Sequence, residues 1–498
     1  MTSQQREAET TYDVGESAAL PSLADLPDVS RVEGPRTVEL DAHYFDTDDL
    51  ALGRRGITLR RRTGGDDEGW HLKIPVEGAR QEIRAPLGRT VNRPPSALLR
   101  VVHEVVREQP LHEVATIVTQ RTLASVRDAD ESLLAEVSDD LVTAARKGAT
   151  DEERRQWREW ELEIHAARPR LTKALTKRLR KAGAQPASRS SKLGRLLQLE
   201  STGTVGGPRP GVDARVTEHE LLSRLVTDLV DDLHRLDPLA RADLPDAVHR
   251  LRLVVRRLRS ALRSFDVCLD TSVTEPVREE LHWIGEALGR PRDLEVLQSR
   301  LSSLVLTLPP PLVRGRPSQW IDRRLRAERR AAHQEVLRAM AAERYFALLD
   351  TVDSWQEGLP WSDRPDRRAS KTLPKVLHQE WKRVEKAVKR ADGADEADRP
   401  DLLHQVRKKA KRARYTAEAL EPVLGADAAD TAKDATKVQH SLGDHHDALV
   451  AMQHVLRLTD IAQEEGSVTF TFGVMFARLE AEVAQHDDGF RRTWKQVR

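Results

Sequence analysis

The stretch HRLRLVVRRLRSALRSF, which begins at His249, carries six arginines and no acid. Like charges three and four residues apart on a helix repel one another. Such repulsion is tolerable if one face is buried and a polyanion neutralises the other. The spacing supplies both faces. His249, Arg252, Arg256, Arg259 and Arg263 follow a 3-4-3-4 pattern and share one stripe. Leu251, Val255, Leu258 and Leu262 keep the same spacing on the far side and are expected in the core. The pattern returns 155 residues later in HQVRKKAKRARYTAEAL: His404, Arg407, Lys411, Arg412 and Arg414 stand where His249, Arg252, Arg256, Arg257 and Arg259 stood. The match ends where Arg263 meets Glu418. The apolar stripe recurs as Val406, Ala410, Ala413 and Ala417. Downstream, LGRPRDLEVL at Leu288 resembles LGDHHDALVA at Leu442, with Asp293 matching Asp447. Residues from about 215 to 498 therefore read as a duplicated, all-helical unit.

Charged helix faces are usually just solvated, but those faces mix signs because opposite charges at i,i+4 help. Two equivalent helices with six bases each and no acid among them point to a polyanion. The chain as a whole is not basic: 81 Lys and Arg face 80 Asp and Glu, a net charge of +1. The positive charge is segregated locally, and bulk nucleic-acid binding is not expected. Aromatic residues make up only 4% of the chain, which argues against stacking on single-stranded bases. A single cysteine, Cys268, permits no intramolecular disulfide and suits a reducing cytoplasm. The polar start MTSQQREAETTYD has no apolar core for export, and no run of about 18 apolar residues suggests a membrane helix. His445, His446, Asp444 and Asp447 crowd together in HSLGDHHDALV, but neighbours on a helix point to different sides. Asp444 or Asp447 as a helix N-cap is the expected role.

The first two hundred residues alternate in short segments broken by turn residues, the signal of strands. GITLRRRTGGDDEGWHLKIP predicts a hairpin with strands over 57–62 and 70–75. VELDAHYFDT, QEIRAPL, TIVTQRTLASVRD, SLLAEVSDDL and WREWELEIHA continue the pattern, with helices expected near 95–108 and 171–183. STGTVGGPRPGVD from Ser201 reads as a linker. The alternation segregates charge. Trp160, Leu162 and Ile164 take one face of their strand, and Glu159, Glu161 and Glu163 the other. Glu7 and Glu9, Arg60 and Arg62, His71 and Lys73, Glu82 and Arg84, and Arg121 and Arg127 form similar pairs. Strands closed into a barrel would turn such pairs inward. The acids would then hold a divalent cation, magnesium or manganese. The bases, Arg60, Arg62, Lys73, Arg84 and Arg121 among them, would meet phosphate oxygens.

Two family resemblances follow from these motifs. The repeated H-x-x-R-x-x-x-R-R-x-R helix with its later L-G-x-x-x-D resembles the CHAD domain over 215–498. That resemblance implies a pseudo-symmetric helical bundle binding inorganic polyphosphate, with His249, Arg252, Arg256, Arg259, His404, Arg407, Lys411 and Arg414 on the binding surface. Glu7-x-Glu9, Arg60-x-Arg62, Lys73, Glu161-x-Glu163 and the segment SKLGRLL with Lys192 resemble the CYTH domain, the triphosphate tunnel fold, over 5–198. It implies an α+β chain: an eight-stranded antiparallel tunnel, a linker at 199–214, then the all-α bundle with its internal repeat. It also implies metal-assisted hydrolysis of a triphosphate end. Glu161 and Glu163 would be catalytic, and would hold the metal together with Glu7 and Glu9. Lys192 would join the arginines on the substrate. The family's opening lysine falls on Thr11 here, which weakens the case for turnover. The expected partners are triphosphate or polyphosphate, in the cytoplasm and in association with polyphosphate granules; membrane and nucleic-acid partners are not expected. A non-catalytic polyphosphate-targeting protein, and a tunnel acting on thiamine triphosphate or a nucleotide, are the alternatives. Nothing in the sequence sets the oligomeric state.

Overall fold

The computed structural model describes residues 3–7, 9–88, 90–166, 168–189, 191–199, 215–395 and 398–497. The chain divides into two compact units, Met1–Arg209 and Pro210–Arg498. The expected linker at 199–214 lies outside the described residues except at Leu199.

The first unit is built on one antiparallel sheet. Its strands are β1 (Ser3–Glu7), β2 (Glu9–Asp13), β3 (Arg31–Asp46), β4 (Thr58–Thr63), β5 (Gly69–Val76), β6 (Ala79–Ala85), β7 (His112–Arg127), β8 (Leu133–Arg146), β9 (Arg155–Ile164) and the two-residue β10 (Gln185–Pro186). Their order is β1-β6-β5-β4-β3-β7-β8-β9-β2-β10. The expectation of eight strands is corrected to ten. The opening segment divides because Ser3–Glu7 pairs with β6 whereas Glu9–Asp13 pairs with β9. Pattern reading sees one strand there, since a change of partner leaves no mark on alternation. The predicted hairpin is β4–β5, and Gly64 and Gly65 in its turn have φ of 81° and 80°, which favours glycine.

Four helices accompany the sheet: α1 (Ala51–Arg54), α2 (Ser96–Val106), α3 (Pro169–Lys181) and α4 (Lys192–Leu197). One core cluster joins Tyr12, Val126, Val137, Trp160 and Leu162 to Leu171, Leu175 and Leu179 of α3. A second seats Leu193 and Leu196 of α4 against Ala42, Tyr44, Ile117 and Val142. The alternation read in β9 is thus observed: Trp160 and Leu162 are buried on the α3 side.

The second unit is helical: α5 (Glu218–Arg241), α6 (Ala247–Ser264), α7 (Thr271–Thr307), α8 (Pro317–Met340), α9 (Glu343–Ser354), α10 (Ala369–Asp392), α11 (Arg399–Leu424), α12 (Ala426–Glu464) and α13 (Phe470–Gln496). Successive helices pack from α5 to α8 and again from α10 to α13. The long second-pair helices match in length, 37 residues in α7 and 39 in α12. A Thr217–Glu220 capping box starts α5 and Asp270 caps α7. Helix α6 also packs on α11, the two helices that carry the repeated motif. Leu251, Val255, Leu258 and Leu262, like Val406, Ala410, Ala413 and Ala417, are at most 2% exposed. Among the described residues no helix is long and apolar enough to cross a membrane.

Candidate functional site

The first unit has a cavity of about 350 Å³, lined by residues of its sheet and mostly charged. Glu9, Arg60, Arg62, Lys73, Arg84, Arg121, Glu161, Glu163 and Lys192 all line it, as does Thr11. The side chain of Glu7 lies outside the described residues; its backbone pairs with Arg80 at the β1–β6 edge.

The acidic residues form two groups. The ligand atoms of Asp140, Glu159 and Glu161 lie within 4.8 Å of one another, as do those of Glu136, Glu163 and His165. Neighbours in β9 on the same face, Glu161 and Glu163 thus fall in different groups. The first group already holds a cation. Lys192, the first residue of α4, places Nζ 2.9 Å from Asp140 and 2.8 Å from Glu159, and also ion-pairs with Glu161. Ser191 caps this helix by accepting from the Gly194 N–H, which fixes the lysine's point of entry. Arg121 completes the network with two hydrogen bonds to Asp140, at 2.8 and 2.7 Å, and a third to Glu161. Burial alone would raise the Glu161 pKa. Lys192 and Arg121 outweigh it and hold this carboxyl well below the usual range. Glu9 behaves oppositely: burial and repulsion by Glu161, with which it shares a hydrogen bond, push it up to about 7.

The basic wall comes from β4, β5 and β6. Arg62 pairs with Asp67, and burial with the nearby charges of Arg60 and Arg121 lowers its pKa to about 9. Arg60 donates to the Tyr44 hydroxyl at 3.4 Å. Arg84 pairs with Glu82. Lys73 stands between Glu9 at 3.6 Å and Glu82 at 3.8 Å. Behind them both ring nitrogens of buried His71 face acceptors, Glu82 and the Asp67 carbonyl, each at 2.9 Å. Burial lowers the His71 pKa to about 4, so the ring is neutral at pH 7 and only one of the two contacts is then a hydrogen bond. The register sets Thr11 opposite Glu161 and Glu9 opposite Glu163. A neutral hydroxyl therefore occupies the cavity position where the family pattern has a lysine.

Pattern reading missed Asp140, Glu159, Glu136 and His165 as members of these groups. Glu159 was visible as the third glutamate on its strand face. Asp140 lies in SLLAEVSDDL, and only the β7–β8–β9 register reveals its partners.

In the second unit the two basic stripes come together. Lys411 is repelled by Arg407 on its own helix and by Arg256 and Arg252 on α6, against the weaker pull of Asp447; burial and these charges bring its pKa down to about 7. Arg252 donates to Asp293 at 2.7 Å and lies against Gly289, where a Cβ would stand 3.0 Å from its guanidinium. In the second half Arg407 lies 3.7 Å from the equivalent point on Gly443 and is attracted by Asp447. The L-G-x-x-x-D motif thus seats one arginine in each half. Arg259 is half-buried near Arg278 and Arg256. Arg414 pairs with Glu418 at 3.3 Å and lies over the Tyr415 ring. The rings of His404 and His446 meet at a tilt of 33° with centres 4.3 Å apart, and burial and His446 lower the His404 pKa to about 4. Among the described residues Nδ1 of His249 and of His404, and Nε of Arg407 and Arg414, are buried without a hydrogen-bond partner. The N-cap expectation for Asp444 and Asp447 is overturned: both lie inside the uninterrupted helix α12.

Comparison with known proteins agrees with this geometry. The CYTH domain model matches residues 5–193 and the CHAD domain model residues 224–456. An uncharacterized protein of Mycobacterium tuberculosis (strain H37Rv) is 38% identical, over 96% of this chain and 93% of its own. Among solved structures, PptA from Streptomyces chartreusis is 23% identical with a TM-score of 0.47, covering 55% of this chain and 98% of its own. The CHAD domain from the plant Ricinus communis is 22% identical with a TM-score of 0.46, covering 60% and 98%. The chain belongs to the family of proteins that join a CYTH domain to a CHAD domain.

Proposed function

We propose that this chain processes inorganic phosphate chains: the first unit hydrolyses a triphosphate or short polyphosphate end with a divalent metal, and the helical unit binds long polyphosphate. The observation that carries the reading is the cavity with walls of opposite sign. A phosphate chain needs cationic side chains along its oxygens, and its counter-ion needs carboxylates beside them. Arg60, Arg62, Lys73, Arg84 and Arg121 supply the first, and Glu9, Glu161 and Glu163 the second, with Glu7, the last residue of β1, proposed as a fourth carboxylate. The tunnel form of the sheet is part of the proposal. It is supported by β1 and β2, which follow one another in the chain yet pair with β6 and β9 near opposite ends of the strand order.

The donor set fits magnesium or manganese, because its atoms are carboxylate oxygens with one imidazole. The ion, when bound, supplies polarisation of a phosphoryl oxygen and a more acidic water. Glu9, at about pH 7 half protonated, is the carboxyl that a cation would relieve most. In the bundle, Arg252, Arg256, Arg259, Arg407, Lys411 and Arg414, with His249 and His404, form the polyphosphate surface. The buried Nε–H of Arg407, which has no hydrogen-bond partner, is a donor that a phosphate oxygen would satisfy.

Phosphate release from tripolyphosphate tests the enzymatic half. With magnesium or manganese the full chain should release phosphate, and a chelator should stop it. Glu161→Gln and Glu163→Gln should each lower the rate by about two orders of magnitude or more. Thr11 favours a second reading, in which the cavity grips its ligand without turnover. Tight tripolyphosphate binding with no release under any metal would decide for that reading.

A further inference from the structure

Helix α3 presents a charged surface that neither the cavity nor the bundle uses. The chain has no acidic residue between Glu163 and Glu200. Within that stretch α3 buries Leu171, Leu175 and Leu179, each at most 1% exposed, in the core behind the sheet. At 100° per residue Lys173, Lys177 and Arg180 fall opposite this leucine stripe, with Arg170 and Lys181 beside them. All five are exposed. Among the described residues none of the five makes an ion pair; the flanking cations find only Asp128, 3.4 Å from Arg168, and the Ser22 carbonyl, 2.7 Å from Arg178.

This is not the composition of a merely soluble helix. Lys173, Lys177 and Lys181 repel in sequence at i,i+4. Arg170 and Lys173, near the N-terminus, oppose the helix dipole. Lys173, Lys177 and Arg180 border a shallow depression along the helix, with Thr172 and Thr176 between the cations.

We infer that this face of α3 binds the part of a long inorganic polyphosphate chain that runs outside the cavity, an inference that rests on the phosphate-chain reading above. The face carries no aromatic side chain on which a base could stack, so it offers a nucleic acid only its charge. Its apolar residues are buried, so it has nothing to insert among lipid tails. A bare chain of phosphates asks only for a row of cations with hydroxyls between them.

The test uses the full chain. Arg407→Glu, Lys411→Glu and Arg414→Glu together weaken the bundle surface. Adding Lys173→Glu, Lys177→Glu and Arg180→Glu should then lower the remaining affinity for long polyphosphate by on the order of tenfold, and flatten its salt dependence by about two contacts. Tripolyphosphate binding should not change. The corresponding Gln triple, which removes charge without reversing it, should act in the same direction, with circular dichroism confirming the fold. Unchanged long-chain affinity in both folded triples overturns the inference. So does a duplex DNA affinity that exceeds the polyphosphate affinity and falls with it. A bundle triple that binds like the wild type counts instead against the bundle's proposed role, and the α3 triples are then compared with wild type directly.

Discussion

Replacing Lys192 by methionine tests the network at the centre of the cavity. The ammonium is 9% exposed and touches Asp140, Glu159 and Glu161, which are 0%, 4% and 13% exposed. Methionine keeps the length and the apolar stem but removes the charge. Arg121 still serves Asp140 and Glu161, but Glu159 keeps only the Trp157 indole N–H, at 2.6 Å, and Arg195, at 3.8 Å. Breaking a buried pair from one side costs about 3–5 kcal/mol, because the partner charges remain buried. For a unit of some two hundred residues this lowers the melting temperature by roughly 6–20 °C. The pH dependence follows from the sign of the shifts. The Lys192 pKa is raised well above the ordinary lysine value. Its stabilisation is therefore complete at neutral pH and is lost only in strong alkali. In the variant Glu161 loses the charge that does most to depress it and its carboxyl rises, so acid relieves the repulsion. The deficit should be largest near about pH 7.5 and shrink toward about pH 5. Scanning calorimetry of the full chain with chelator should show this in the transition of the first unit. Magnesium or manganese should restore part of it, since three carboxylates can hold the ion in place of the ammonium. An unchanged melting temperature, or the same drop at both pH values, would refute the argument that Lys192 neutralises this cluster.

Thr11→Lys places a cation across from Glu161 in the β2–β9 register, and it should tighten tripolyphosphate binding or raise turnover in a phosphate-release assay. A folded variant that is worse in both would count against the role given to this strand. Changing Arg252, Arg256 and Arg259 to Glu should weaken long-polyphosphate binding by on the order of a hundredfold and flatten its salt dependence; wild-type affinity in the folded variant would leave the stripe as a solvated face. Lys411, at about 7, gains its proton as pH falls through neutrality, so polyphosphate affinity should rise between about pH 8.5 and pH 6. Lys411→Arg should flatten that rise, while the lower value of His404 keeps its contribution below about pH 5. A titration with the same slope in the arginine variant would assign the effect elsewhere.

The helical unit was legible because its signal is local. A 3-4-3-4 stripe needs only one helix to be seen, and its recurrence identified α6 and α11 as equivalent before any contact was known. The error there is instructive. HSLGDHHDALV reads as a helix start because its neighbouring polar residues could not share one ion on a helix and aspartate caps well. The helix runs through it without a break. Only in the first half does the glycine make room for the arginine: a Cβ at Gly289 would stand 3.0 Å from the Arg252 guanidinium, whereas one at Gly443 would be in ordinary contact with Arg407 at 3.7 Å. In the first unit alternation located the inward faces but not the partners. Asp140 and Glu161 meet only because β8 and β9 pair in one register, and Lys192 reaches both from a helix that follows β9 by nearly thirty residues. The strand count failed for the same reason: the break between β1 and β2 is a change of neighbour.

That pairing also decides where charge in the cavity remains uncompensated. Glu82, which is buried, and Glu9, which is partly buried, both stand beside Lys73, yet they shift in opposite directions. The His71 hydrogen bond, with the charges of Lys73 and Arg60, overcomes burial and holds Glu82 far below the usual range. Glu9 has Glu161 against it and rises to about 7. A further cation beside Glu82 would gain little, whereas one beside Glu9 and Glu161 would remove a standing repulsion. The bases divide in the same way. Lys192 and Arg121 are committed to carboxylates, whereas Arg62, lowered to about 9 by burial and by Arg60 and Arg121, is in excess positive charge. The cavity is therefore polarised, with its unmet need for a cation at Glu9 and its unmet need for an anion at Arg62. A phosphate chain that brings its own metal answers both needs at once, and a bare cation or a bare anion answers only one.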